Sequence, residues 1–154
     1  MAKEVLKFKT TGFKELNDVL VEMAEDLGYK KTARRVLIPA IKEALKPVMD
    51  RAKSLAPFDE KNFTTPHLRD SFRVEARIPN NRDARSIYHN PNDVAIGQVT
   101  VKTDKRAISQ EFGNEQVAPQ PYLRPALESE AQRVINIFGT HITYRIQRYK
   151  AKGT

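Results

Sequence analysis

Residues 72–78 read Phe72-Arg73-Val74-Glu75-Ala76-Arg77-Ile78. Phe72, Val74, Ala76 and Ile78 alternate with Arg73, Glu75 and Arg77, the two-residue period of a half-buried strand. Pro79-Asn80-Asn81 stops it. Downstream, Val94, Ile96, Val99 and Val101 predict a second strand, and a slip in the alternation at Gly97-Gln98 predicts a bulge there. Arg106 to Phe112, with Ile108, Gln110 and Phe112 on one face, reads as a third strand closed by Gly113. Phe72 and Phe112 are then core residues.

Upstream the period changes. Phe13, Leu16, Val19, Leu20, Met23 and Leu27 recur at steps of three and four, an amphipathic helix that Gly28 stops. Lys30 to Ala56 carries a wider apolar stripe, including Val36, Ala40, Ala44, Val48 and Ala52, as expected of a helix packed on two sides. Pro39 and Pro47 lie inside it and predict kinks or a break, because each removes an amide donor; Pro57 ends it. Val5, Leu6 and Phe8 suggest a short N-terminal strand. At the other end, Pro119, Pro121 and Pro125 make an extended segment that enters a final helix, with Pro125 in its first turn. Gly139 is a candidate end or bend.

The predicted order is strand, helix, helix, three strands, helix. Without a strand–helix alternation a doubly wound parallel sheet is not expected. The expectation is one α+β domain over residues 1–154: an antiparallel sheet of about four strands against two to three helices, with a long C-terminal helix and a basic tail at about 143–154. Pro57–His67 and Asn80–Asp93 are long polar loops, of a length that in a compact domain is usually functional or mobile.

The 154 residues carry 27 Lys and Arg against 19 Asp and Glu, a net charge of +8, which points to an acidic partner, nucleic acid first. The excess is spread along the chain except at its end. Arg145, Arg148, Lys150 and Lys152 fall within residues 143–154 with no acid among them. They are the candidate contacts to double-stranded DNA. The chain has no cysteine, so disulfides, thiolate nucleophiles and sulfur-ligated zinc are excluded. No apolar run is long enough for a membrane span, and the charged N-terminus has no leader-like segment, so synthesis in the cytoplasm is expected.

Catalytic patterns are sparse. The glycines are scattered, with no phosphate loop, and His67, His89 and His141 lack metal-ligand spacing. His67, Asp70 and Ser71 lie close in sequence, but a hydrolase triad needs spatial convergence and an oxyanion hole. No enzyme, cofactor or metal is expected.

Several segments together carry more information than any one of them. Ala52-Lys53-Ser54-Leu55-Ala56-Pro57 is followed by His67-Leu68-Arg69-Asp70-Ser71-Phe72, then by Glu111-Phe112-Gly113, then by Pro119-Gln120-Pro121-Tyr122-Leu123-Arg124-Pro125-Ala126-Leu127. This order resembles the tail-completion, or neck, proteins of long-tailed double-stranded DNA bacteriophages. The family pattern is a helix ending "AK..AP", then "G.LR.S" entering a strand, then "EFG", then "P.PFLRPA" opening the last helix. The matching residues are Pro57, Leu68, Arg69, Ser71, Glu111, Phe112, Gly113, Pro119, Pro121, Tyr122, Leu123, Arg124, Pro125 and Ala126. Two positions depart from it: Pro66 stands where glycine is usual, and Tyr122 where phenylalanine is more common.

The resemblance implies a structural role in the virion, at the neck or the head-proximal end of the tail, in tail completion and head–tail joining. It implies a homo-oligomeric ring, six subunits being the first number to test, with other neck and tail proteins as partners and passing contact with genomic DNA. Leu123 and Leu127 would be core, and Arg124 an interface ion-pair donor or a surface residue at the helix start. The alternative is a non-catalytic double-stranded DNA-binding protein that uses the basic tail.

Overall fold

The computed structural model describes residues 13–58, 60–61, 67–87, 90–101 and 105–152. Helix α1 runs Phe13–Leu27 and closes where the Gly28 amide donates to the Ala24 carbonyl at 2.9 Å. A short helix α2, Tyr29–Thr32, passes into a π-helical turn, Ala33–Leu37, and then into α3, Ile38–Leu55. The change of helical type falls just before Pro39, which sits in the first turn of α3, where a missing amide costs least. Pro47 lies inside α3 without ending it. The chain leaves α3 at Ala56, whose backbone is extended.

Strands β1, Phe72–Arg77, and β2, Ile96–Val101, pair antiparallel in unbroken register from Phe72 opposite Val101 to Arg77 opposite Ile96. No bulge interrupts the ladder at Gly97-Gln98, contrary to the sequence expectation. The glycine there has a packing reason. A Cβ at Gly97 would collide with Ile41 Cγ2 and lie 3.0 Å from Leu45 Cδ1, both on α3. The bare backbone of β2, opposite Ala76, is what lets the helix lie close on the sheet.

The expected sheet of about four strands is overturned. Among the described residues the sheet has two strands, and the molecule is mostly helical. Residues 105–112 are the reason. They form helix α4, Lys105–Phe112, rather than a third strand. Alternation over so short a run does not separate strand from helix, and Arg, Ala, Gln and Glu all favour the helix. Gly113, at φ +75°, closes it, its amide donating to the Ser109 carbonyl at 2.8 Å. Phe112 is consequently not core; it is 76% exposed. The expected strand at Val5–Phe8 lies outside the described residues.

Helix α5, Leu123–Lys152, is 30 residues long and runs through Gly139 without ending. It packs antiparallel on α3, and two apolar clusters lie along the seam. One joins Val48, Ala52 and Ala56 of the α3 end to Phe72, Tyr122 and Ala126; the other joins Val36 and Ala40 to Met23, Ile142 and Ile146. Ala33, Ala40, Ala44, Ala52 and Ala126 are essentially buried, and these small side chains allow the close helix approach. Leu123 packs against the first cluster, but Leu127 is 48% exposed and is not core.

Candidate functional site

The residues of the four motifs meet at two joints. At the first, α3 ends at Ala56. The Arg69 guanidinium donates from Nε and Nη2 to the Ala56 carbonyl, both at 3.4 Å, so a distant cation closes the helix C-terminus. The same guanidinium lies 4.4 Å from the centre of the Phe58 ring, next to Pro57. The Ser71 hydroxyl donates to the Leu68 carbonyl at 2.8 Å and shapes the 3₁₀ turn Leu68–Ser71 that feeds β1. Leu68 packs on the first apolar cluster.

At the second joint, Glu111 supplies the cap of α5. Its Oε2 accepts from the amides of Tyr122 at 2.8 Å and Leu123 at 3.0 Å, and its Oε1 from the amide of Arg124 at 3.2 Å. Pro125 has no amide, and the Ala126 amide donates to the Tyr122 carbonyl at 3.3 Å. Every amide at the start of α5 is therefore accounted for. The carboxylate also sits where the helix dipole favours a negative charge. Asn114 turns the chain after α4, its Oδ1 accepting from the Gln116 and Val117 amides at 2.9 and 2.8 Å. The Gln120 amide donates to the Gln110 carbonyl at 2.7 Å and lays Pro119–Pro121 back along α4.

Tyr122 fills the centre of this joint. It is fully buried, packs edge-on against Phe72 at 5.6 Å, and donates its hydroxyl to the Ala107 carbonyl at 3.1 Å. Burial, with a smaller contribution from the Glu111 charge, pushes the phenol up to about 12. Gly113 completes the joint, because a Cβ there would lie 2.8 Å from Pro119 Cδ and 3.0 Å from its backbone nitrogen. Arg124 pairs with Glu128 one turn on, at 2.9 Å. Phe112 and Ile108 of α4 point outward. Pro66 lies outside the described residues.

His67, Asp70 and Ser71 do not form a triad. The His67 ring packs on Phe58 at 4.6 Å, while Ser71 is spent on its own backbone turn. His89 lies outside the described residues. His141 lines a polar cleft of about 590 Å³ between α3 and α5, where Lys46 holds the Glu43 carboxyl below its ordinary range by a direct hydrogen bond. Among the described residues no group of His, Asp or Glu is placed to hold a metal, and no helix is long and apolar enough to cross a membrane.

The basic tail is helical as far as Lys152. Arg145, Arg148 and Lys152 face a groove of about 420 Å³ floored by Met23, Val36 and Tyr149. Lys150 is exposed but is not among its walls. The opposite wall adds Arg35, a cation that sequence reasoning missed. Pro39 cannot donate to the Arg35 carbonyl one turn earlier, and that carbonyl accepts instead from Arg145 Nη1 at 3.3 Å. The Arg145 Nε is buried with no hydrogen-bond partner among the described residues. The groove thus holds four cations and no carboxylate among its lining residues.

The chain matches no family model, no curated protein and no solved structure.

Proposed function

We propose that this chain is a structural assembly protein of a tailed double-stranded DNA bacteriophage, acting at the neck or the head-proximal end of the tail as a subunit of a ring. The observation that carries the reading is that the residues of the resemblance, far apart in sequence, touch one another. Arg69 reaches Ala56, and Glu111 caps the turn Tyr122–Arg124. Chance matches would fall on unrelated surfaces. A shared architecture needs such residues at its joints, because they fix how the last helix leaves the α4 turn and how α3 hands the chain to the sheet. In this reading the motif residues set the shape of the subunit, and the surfaces between them meet its neighbours. The protein is made in the host cytoplasm and acts in the virion.

The test is deletion of the gene from the phage or prophage that carries it, with electron microscopy of the lysate. Filled heads beside unattached or misterminated tails are expected. Normal infectious particles would sink the assignment.

A second reading, binding of double-stranded DNA, is favoured by one observation: Arg35, Arg145, Arg148 and Lys152 line a single groove. Phosphate binding would weaken linearly in log salt. A titration of duplex DNA against the purified chain at several salt concentrations tests it, and flat salt dependence would reject it.

A further inference from the structure

From the unpaired charges we infer that the cationic groove receives the acidic side of helix α1 from a second copy of this chain. This rests on the ring reading and names the two surfaces that would form the ring.

The groove carries Arg35, Arg145, Arg148 and Lys152 with no carboxylate among its lining residues; Glu43, in the neighbouring cleft, feels the charge of Arg145 but does not pair with it. On α1, Asp18, Glu22, Glu25 and Asp26 are all exposed. Among the described residues none of these eight groups forms an ion pair, although opposite charges elsewhere do pair, as Arg77 with Asp83 and Arg124 with Glu128. The chain therefore carries two exposed surfaces of opposite sign whose charges form no ion pairs among the described residues.

They also match in spacing. Asp18, Glu22 and Glu25 follow one another at steps of four and three. Lys152, Arg148 and Arg145, taken toward the N-terminus, follow at steps of four and three as well. At 1.5 Å per residue both rows are about 10 Å long. A second α1 laid antiparallel to α5 would thus set Asp18 against Lys152, Glu22 against Arg148 and Glu25 against Arg145. Glu25 would then face the Arg145 guanidinium, which Nη1 anchors on the Arg35 carbonyl. Val21, 41% exposed beside Asp18 and Glu25, would lie over Tyr149, the half-buried residue of the floor.

The same copy cannot make this contact. Met23 of its own α1 is part of the groove floor, and at about 100° per residue Glu25 lies about 200° around the helix from it. The contact joins two different surfaces, and such heterologous contacts close into rings when their rotation allows. Duplex DNA would satisfy the cations but would leave the acidic row unexplained.

The test is sedimentation velocity on the full chain and two double variants made only at exposed positions, so that folding survives. One is Asp18→Lys with Glu22→Lys; the other is Arg148→Glu with Lys152→Glu. Wild type is expected to self-associate, less so at high salt. Each variant alone should associate roughly 100-fold more weakly, because like charges now face each other. An equimolar mixture of the two should associate again, since each reversed surface meets its new complement. Variants that assemble like wild type, or a mixture that stays monomeric, would overturn the pairing while leaving the ring reading to the deletion phenotype. A wild-type chain that stays monomeric at low salt yet binds duplex DNA would overturn it in favour of a phosphate groove.

Discussion

Replacing Glu111 by alanine should unfasten the longest helix of the protein without touching its core. Three amides at the start of α5 donate to this one carboxylate, at 2.8, 3.0 and 3.2 Å. No residue at the helix start can substitute. Pro121 and Tyr122 have no side-chain acceptor in reach, and the Tyr122 hydroxyl is committed to Ala107. Loss of a capping side chain costs about 1 kcal/mol, up to about 2. Loss of a negative charge at the positive end of the dipole adds about 0.3–1 kcal/mol. The sum is about 1.5–2.5 kcal/mol. In a domain of this size that lowers Tm by roughly 4–8 °C. Glu111→Gln keeps one acceptor oxygen and should lose roughly half as much. Glu115→Ala, an exposed carboxylate four residues on, should stay within about 0.5 kcal/mol of wild type. Circular dichroism at the helical minimum, followed through thermal and urea unfolding, reads all three. Equal melting temperatures for Glu111→Ala and Glu115→Ala would refute the capping argument.

Further outcomes follow from the same contacts. Tyr122→Phe should cost about 1 kcal/mol near neutrality through the lost hydrogen bond to Ala107. It should also flatten the alkaline limb. The buried phenol titrates near 12 rather than 10, so the neutral form contributes fully below pH 10 and its contribution is lost as pH rises toward 12, at roughly 1.4 kcal/mol per pH unit; urea midpoints of both proteins between pH 9 and 12 would expose a missing difference. Gly97→Ala should destabilise by about 1–3 kcal/mol, because the new methyl meets the stiff β-branched Ile41 on α3; an unchanged urea midpoint would mean that helix and sheet are not in close contact. Arg69→Ala should lose about 1–2 kcal/mol, and Arg69→Lys should recover only part of it, since the flat guanidinium both stacks on Phe58 and donates from two nitrogens. Full rescue by lysine would show that charge alone matters there.

Much of the fold is legible in local pattern. The three- and four-residue steps from Phe13 to Leu27 give α1, and Gly28 its end. Strict alternation from Phe72 gives β1, and Pro125 marks the first turn of α5. What escapes is what depends on partners distant in sequence. Ile108, Gln110 and Phe112 alternate like a strand, but Ala107 and Glu111 share the face of α4 that serves Tyr122 and the start of α5. Helix propensity, and Gly113 directly after the run, are the available signals. The usual capping rule looks for Ser, Thr, Asp or Asn beside the helix, so a glutamate eleven residues before Tyr122 is invisible to it. Gly97 looks like a bulge because the demand for a bare backbone comes from Ile41, more than fifty residues away. The cationic groove was half legible. Arg145, Arg148 and Lys152 stand out as a run, whereas Arg35 joins them only because α3 and α5 are antiparallel.

The joining role is tested most directly by adding purified chain to a lysate of the gene-deleted phage and counting infectious particles. The account predicts that titre rises with added protein as preformed heads and tails combine, and that Glu111→Ala protein does the same below its lowered melting temperature. A titre that stays at the deletion level, with folded protein present and heads and tails intact, would contradict it.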